Sequence, residues 1–301
     1  MKCLIVGCGY IGLPLGAELA GKGHEVFGLR RSAAAENALK AAGVLPLIAD
    51  VTKPETLAKL PRPFDWVVNC VAAGGSAENY RQTYLEGNRN LVSWLADSPP
   101  KKFVYTSSTS VYGQNDGSVV TEDTPAEPAG ETSKILVETE KLLLAAVAER
   151  KFPAVILRVA GIYGPERGHW FRQFLKDEAR IEGDGSRYLN MIHRDDVVGC
   201  IIAALKSGRT GDVYNAVDDE PVSQIDFFKW LATTLGKPLP SSVSESAETI
   251  RKRGVTNKRV SNRKLKVDLG YQLKYPDFRS GYGAEILRLT HVGESRAIQD
   301  A

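Results

Sequence analysis

The 301-residue chain carries few of the marks of a specialised protein class. Its four cysteines (Cys3, Cys8, Cys70 and Cys200) form no C-x-x-C pair and have no metal-ligand spacing, which argues against a disulfide-stapled scaffold and a zinc module. Cys3, Cys70 and Cys200 fall inside apolar runs and read as small buried hydrophobes. No apolar run reaches the roughly 18 residues of a membrane span. The first apolar segment gives way at once to glycines, so it does not read as a signal peptide. The expectation is a cytoplasmic protein with no membrane partner. A net charge of +3 is too small to argue for a nucleic-acid partner. Internal repeats and low-complexity tracts are lacking too. What remains is 43% hydrophobic and 25% charged, long enough for one large domain or two closely joined ones.

Against that plain background the amino terminus stands out. Cys3 to Val6 is a short apolar run that breaks at Gly7-Cys8-Gly9, and apolar residues resume at helical spacing from Ile11. Strand, tight turn and helix in that order carry G-x-G-x-x-G as Gly7, Gly9 and Gly12. The first glycine permits the turn, the second lets a diphosphate approach the backbone, and the third lets the helix pack on the strand. Amides at the helix start, including those of Tyr10, Ile11 and Gly12, then face the phosphates with the positive end of the helix dipole.

The next strand, His24 to Leu29, decides between cofactors. NAD sites place Asp or Glu at its end for the ribose hydroxyls. Here stand Arg30, Arg31 and Ser32, whose guanidinium groups and hydroxyl suit a 2′-phosphate, so NADP is favoured over NAD. Asp50 and Val51 follow the third strand (Leu45 to Ile48); Asp50 either offers its carboxylate to the adenine amine or caps the Thr52–Pro54 turn. The fourth strand, Trp66 to Val71, runs into Ala72-Ala73-Gly74-Gly75, small residues that admit a cofactor (Val71, Ala72, Ala73) and a substrate (Gly74). Tyr80 to Ala96 has helical periodicity and stops at Pro99-Pro100. A fifth strand, Phe103 to Ser107, empties into a hydroxyl-rich segment that includes Ser108. Glu131 to Arg150 is the longest amphipathic helix, and the sixth strand, Ala154 to Arg158, leads to Val159 and Ala160. Strands and helices alternating in this rhythm predict an α/β fold, a doubly wound parallel sheet with ligands beyond the strands' carboxyl ends.

Beyond Tyr163 the rhythm changes. Short helices are expected at Trp170 to Glu178, Gln224 to Leu235 and Asn262 to Leu269, with an apolar helix within Asn190 to Lys206 and a strand at Val213 to Val217. Pro238 to Val260 reads as polar and irregular, and the last ten residues as loose. Eight Lys or Arg fall in the sixteen residues from Arg251 to Lys266, without aromatic interleaving; they read as a solvated, electrostatically attractive rim.

Taken together, these residues resemble the extended short-chain dehydrogenase/reductase family of sugar-nucleotide epimerases and dehydratases, in its atypical bacterial branch. The resemblance runs from about residue 2 to 290. It rests on Gly7-x-Gly9-x-x-Gly12, Ser107-Ser108-x-x-Val111-Tyr112-Gly113, Ser133-Lys134, Leu157-Arg158 with Tyr163-Gly164-Pro165, Ile192-His193-x-x-Asp196, and Val213-Tyr214-Asn215. It implies a Rossmann-type NADP-binding domain (residues 1–163 and 189–219) and a smaller, mostly C-terminal α+β substrate domain (164–188 and 220–301). It further implies hydride transfer at nicotinamide C4 on a hydroxylated, sugar-like small molecule, and a homodimer through the Glu131–Arg150 helix. Ser108 matches the Ser or Thr that steadies the substrate oxygen, and Lys134 the lysine that holds the nicotinamide ribose; Val159 and Ala160 pack by the nicotinamide. The family's proton-carrying tyrosine stands four residues before that lysine, where this chain has Gly130. Tyr163 is the first candidate to replace it, then Tyr112 and Glu131. The other reading is a catalytically silent NADP-binding sensor or scaffold. His169, Arg187 and His193 fall where the substrate cleft is expected, though His193 also suits a purely structural hydrogen-bonding place beside Asp195 and Asp196. No metal site is expected.

Overall fold

The chain begins in the middle of its own sheet. The computed structural model describes residues 1–243 and 256–299, with side chains described as far as Leu289. Seven strands, β1 (Lys2–Val6), β2 (Glu25–Arg30), β3 (Leu45–Ile48), β4 (Trp66–Asn69), β5 (Lys102–Ser108), β6 (Ala154–Val159) and β7 (Val213–Ala216), form one sheet in the order β7-β6-β5-β4-β1-β2-β3. All neighbouring pairs are parallel. The chain runs outward from β1 to β3, then crosses back to place β4 on the other side of β1. That reversal opens a crevice beyond the carboxyl ends of β1 and β4, where such sheets bind ligands. The architecture is the Rossmann-type doubly wound sheet that the alternation of elements predicts.

Burial explains the unbroken apolar runs. All of β4 and β6 is buried, as is Cys3–Val6 of β1, because helices cover both faces of a parallel sheet. A second core lies beyond the sheet. It gathers Tyr163, Phe171, Phe174, Phe227, Phe228, Phe278 and Tyr282 from the turn after β6 and from the helices His169–Leu175, Gln224–Leu235 and Phe278–Gln299. The short strand Met191–His193 pairs in parallel with Gly161–Tyr163 and ties the two cores together.

Several local expectations are corrected. Tyr80 to Ala96 is not one α-helix: α-helical Ala77–Tyr80 passes through a π-helical stretch, Arg81–Glu86, into Gly87–Trp94. The wider turn alters which side chains share a face, something a 3.6-residue period does not register. The last ten residues are helical as far as Gln299, in a helix whose first turns are anchored by buried Phe278 and Tyr282. Within the segment read as irregular, Ser242–Val243 pairs with Ile181–Glu182 and Arg259–Val260 with Val119–Val120. Of the basic run, Arg251, Lys252 and Arg253 lie outside the described residues. Of the rest, Arg259, Arg263 and Lys266 are exposed, as a solvated rim requires, and Lys258 departs from it. Lys258 is buried and donates to the Tyr112 carbonyl at 2.9 Å, with burial pulling its ammonium down to about 8. Lys264 and Lys266 pair with Asp212 and Asp219. The cysteines are free thiols, and no described helix is long and apolar enough to cross a membrane.

Candidate functional site

The turn after β1 works only with glycine. Gly7 has φ +83°, and a Cβ there would stand 2.7 Å from the Val71 backbone, just past β4. A Cβ on Gly12 would meet the Gly7 carbonyl and the Ile5 side chain at 2.9 Å, so the helix Gly12–Gly21 lies hard against its own strand. This close fit holds the first-turn amides at the floor of a cleft of about 750 Å³. The residues expected to hold a dinucleotide converge there. Gly7, Gly9, Tyr10 and Ile11 line its middle. Arg30, Arg31, Ser32, Asp50 and Val51 line the end below β2 and β3, and Val71, Ala72, Val159 and Ala160 the side towards β4 and β6. Gly12 lies buried behind the loop rather than on the cleft wall, and Ala73 donates its amide to the Tyr84 hydroxyl at 3.1 Å.

At the β2 end, Arg30 donates from Nη1 to the Cys8 carbonyl at 2.9 Å, which draws its guanidinium under the glycine turn. The Cβ position of Gly9 is 3.0 Å from that same nitrogen. Arg31 and Ser32 are exposed beside it. Asp50 accepts from the amide and the hydroxyl of Thr52, both at 2.9 Å, which is the turn-capping alternative. The end of β2 thus carries guanidinium groups and a hydroxyl rather than a carboxylate.

The opposite end, beyond β5 and β6, is made by side chains. Ser108 lines the cleft and accepts from the Ser110 amide at 3.2 Å. Beside it Ser107 donates to Glu140 at 2.6 Å, and Arg158 grips Glu140 through Nη2 at 2.7 Å and Nε at 3.1 Å. Arg158 also donates to the Tyr112 hydroxyl at 2.8 Å, which donates onward to Asn215 at 2.9 Å. Every group of this chain is buried, so each depends on the next for its pairing.

The long helix presents a different face from the one expected. Leu136 lines the cleft, and Glu140 follows one turn later on the same side. Lys134 is exposed and does not line the cleft; Glu131 is exposed as well. Gly130 is the helix N-cap, with extended backbone, so that position lies outside the helix. Tyr163 is closed within the second core, 1% exposed, stacked on Tyr282 at 4.2 Å, with its hydroxyl pushed up by burial. Tyr112 is bound into the Arg158 chain.

The structure likewise leaves the other substrate candidates off the cleft wall. His169 is exposed against Trp170, Arg187 pairs with Glu182 at 3.2 Å, and Gly74 is exposed with its carbonyl bonded by Asn79. His193 caps the helix Arg194–Ser207, accepting from the Asp195 amide at 3.2 Å, with Glu285 at 3.5 Å from its other nitrogen. That is the structural place open to it from sequence. Sequence reasoning missed Tyr84, Leu136 and Arg167, all on the cleft wall. Tyr84 is delivered by the π-helical stretch, and Arg167 by a turn whose position only the fold sets. Among the described residues no His, Cys, Asp and Glu group could hold a metal ion.

Comparison with known proteins agrees with this fold. The model of the NAD dependent epimerase/dehydratase family matches residues 3–216. Protein YeeZ of Escherichia coli K12 is 30% identical over 288 residues, covering 92% of this chain and 97% of its own. A solved protein from Methylobacillus flagellatus, provisionally named an NAD-dependent epimerase/dehydratase, is 37% identical with a TM-score of 0.75, covering 96% of this chain and 98% of the other. The UDP-glucuronic acid 4-epimerase of Bacillus cereus, solved with UDP-glucuronic acid and NAD, shares the fold at a TM-score of 0.81 and 22% identity, covering 97% and 100% of the two chains.

Proposed function

The chain belongs to the NAD dependent epimerase/dehydratase family, and from that premise we propose that it binds NADP in preference to NAD and acts on a hydroxylated, sugar-like, anionic small molecule. The observation that carries the cofactor choice is Arg30 drawn beneath the glycine turn, with Arg31 and Ser32 beside it. The dinucleotide would lie across the cleft, its extra phosphate at Arg30 and Arg31 and its diphosphate on the first-turn amides. Its nicotinamide would lie by Val159 and Ala160. When bound, it supplies a site that gives or takes hydride. This chain's part is then to hold a substrate oxygen at Ser108, itself fixed by the Ser110 amide, and to keep water out with Leu136 and Val159. The nucleotide-sugar enzyme among its structural likenesses supports a sugar-like substrate. We assign residues 1–163 and 189–219 to cofactor binding and 164–188 and 220–301 to substrate binding, with pairing of two copies through the Glu131–Arg150 helix.

A second reading is favoured by Leu136. An apolar side chain stands on the cleft face of the helix, and Lys134 is not on the cleft wall. That arrangement suits a protein that binds the dinucleotide and senses it without turnover. Both readings are tested together. NADPH and NADH are titrated calorimetrically, then nicotinamide absorbance is followed against sugar nucleotides and small carbonyls. Tighter NADPH binding, with the preference erased by Arg30→Ala plus Arg31→Ala, is the expected result; equal affinities would defeat the cofactor assignment. Substrate-dependent absorbance change supports the enzyme, and silence with tight binding supports the sensor.

A further inference from the structure

We propose that Arg167 is a second, side-chain half of the diphosphate site, gripping the cofactor from the side opposite the main-chain amides. This rests on the reading of the cleft as a dinucleotide site. Arg167 lies on the turn Gly164–Gly168, which leaves the sheet for the second core. The turn is closed tightly: the Arg167 amide donates to the Gly164 carbonyl at 2.9 Å, the Gly164 amide donates back at 3.3 Å, and Glu166 sits at φ +61°. The phosphate-binding loop holds this turn at two points. Tyr10, the residue after Gly9, donates its hydroxyl to the Pro165 carbonyl at 3.0 Å, and its ring carries the Arg167 guanidinium at 4.1 Å from the ring centre.

The turn cannot slide away from that position. A Cβ on Gly164 would stand 3.0 Å from His193 Nε2 and 3.3 Å from the Tyr10 hydroxyl, and one on Gly168 would stand 2.9 Å from the Tyr282 hydroxyl. It is wedged between the glycine loop and the second core. Burial pushes the Tyr10 hydroxyl up to about 12, against the opposing pull of Arg194 and Arg167, so it remains a donor at neutral pH. The two arginines beside the Tyr10 ring differ in charge state of their surroundings. Arg194, 5.5 Å from the ring centre, is neutralised by Asp195 at 2.9 Å, whereas Arg167 forms no ion pair among the described residues and faces the cleft. A guanidinium lying flat on an aromatic ring keeps its N–H edges free for an anion, and its planar fork matches phosphate oxygens. The amide floor of the cleft is at Tyr10 and Ile11, the Gly9 amide being bonded to the Gly7 carbonyl at 2.7 Å. A diphosphate there would be bonded by main chain below and by Arg167 above.

The test uses the full chain at fixed ionic strength, with NADPH, NADH and adenosine 2′-monophosphate as probes. Both dinucleotides carry the diphosphate, so Arg167→Ala is expected to weaken them by the same factor, about tenfold or more for a lost charge-assisted bond. The ratio of their affinities is expected to stay unchanged, and so is the binding of adenosine 2′-monophosphate, which has no diphosphate. Arg30→Ala plus Arg31→Ala should do the reverse, changing the ratio and weakening the monophosphate. Arg167→Lys keeps the charge without the fork and should fall between. Loss caused by Arg167→Ala should shrink in a Tyr10→Ala background, because the ring is its platform. An unmodified protein that binds both dinucleotides, with Arg167→Ala leaving both affinities as they were, overturns the proposal. An unmodified protein that binds neither overturns the underlying reading instead. Superimposable melting of Arg167→Ala and the unmodified chain excludes misfolding as the cause of any loss.

Discussion

The two ends of the cleft are built from different materials. From its middle towards the β2 end the site is organised by main chain: a positive-φ glycine and a helix start, with the Arg30 side chain tied beneath them to a backbone carbonyl. At the β5 and β6 end it is side chain on side chain, Ser107 to Glu140 to Arg158 to Tyr112 to Asn215, all buried. A backbone site is fixed by which residues lack a Cβ and how they are spaced. A side-chain site is fixed by helix rotation and by distant strands, so the same motif can be present in sequence and face the wrong way in space.

The sharpest way to break the side-chain end is Arg158→Met. It leaves the Glu140 carboxylate buried with Ser107 as its remaining partner, and unpairing a buried ion of this kind costs about 3–5 kcal/mol. A urea melt should show that loss, and the double variant Arg158→Met with Glu140→Leu should recover much of it, since replacing both members by apolar groups removes the stranded charge. A melt unmoved by the single variant would mean that the network is not what holds this end.

The backbone end should break with less cost to the fold and more to the ligand. Gly7→Ala forces a Cβ into the left-handed region, about 1–2 kcal/mol before contact with Val71 at 2.7 Å is relieved. The expected outcome is a moderately lowered melting temperature and dinucleotide binding reduced beyond measurement by calorimetry. Intact binding in Gly7→Ala would show that the turn does not shape the phosphate floor.

How much of this was legible beforehand follows the same division. The places of Gly7, Gly9 and Asp50 on the cleft wall were readable because each follows from a turn a few residues long, and that of Arg30 because it ends the neighbouring strand; the strand rhythm gave the doubly wound sheet. That Lys134 would lie off the cleft wall was not readable, because a lysine's neighbourhood in sequence does not say which face of its helix the cleft meets. Leu136, two residues later, takes the cleft face. Tyr163 looked available since it follows a strand, yet the helix Phe278–Gln299 arrives from more than a hundred residues away and closes over it with Tyr282. Tyr84 depended on a π-helical stretch, which hydrophobic periodicity does not reveal.

The junction between the two cores gives a smaller effect, read against pH. His193 is buried beside Asp195, Asp196, Glu285 and Tyr275, and burial lowers its pKa from the ordinary 6.5 despite those carboxylates, which pull the other way. A lowered folded value means that the fold prefers the neutral ring. That preference contributes fully above pH 6.5 and is lost as the pH falls through the folded value. The melting temperature should therefore decline on acidification below that point. His193→Asn, which keeps an acceptor for the Asp195 amide, should flatten the decline. An identical decline in both proteins would assign the acid sensitivity to other groups.

The smallest expected effect discriminates most cleanly between the two ends. Lys134 is exposed and off the cleft wall, so Lys134→Ala should change stability by no more than about 0.5 kcal/mol, as surface substitutions do. NADPH affinity should stay within about twofold, the corresponding range for so small a change. If the resemblance in sequence governed the site, this lysine would hold the nicotinamide ribose, and its loss would weaken the dinucleotide tenfold or more, the scale of a charge-assisted bond. Calorimetric titration of the one variant therefore tests whether Lys134 touches the dinucleotide. A null result leaves the ribose without that lysine, while a large loss would restore Lys134 to it.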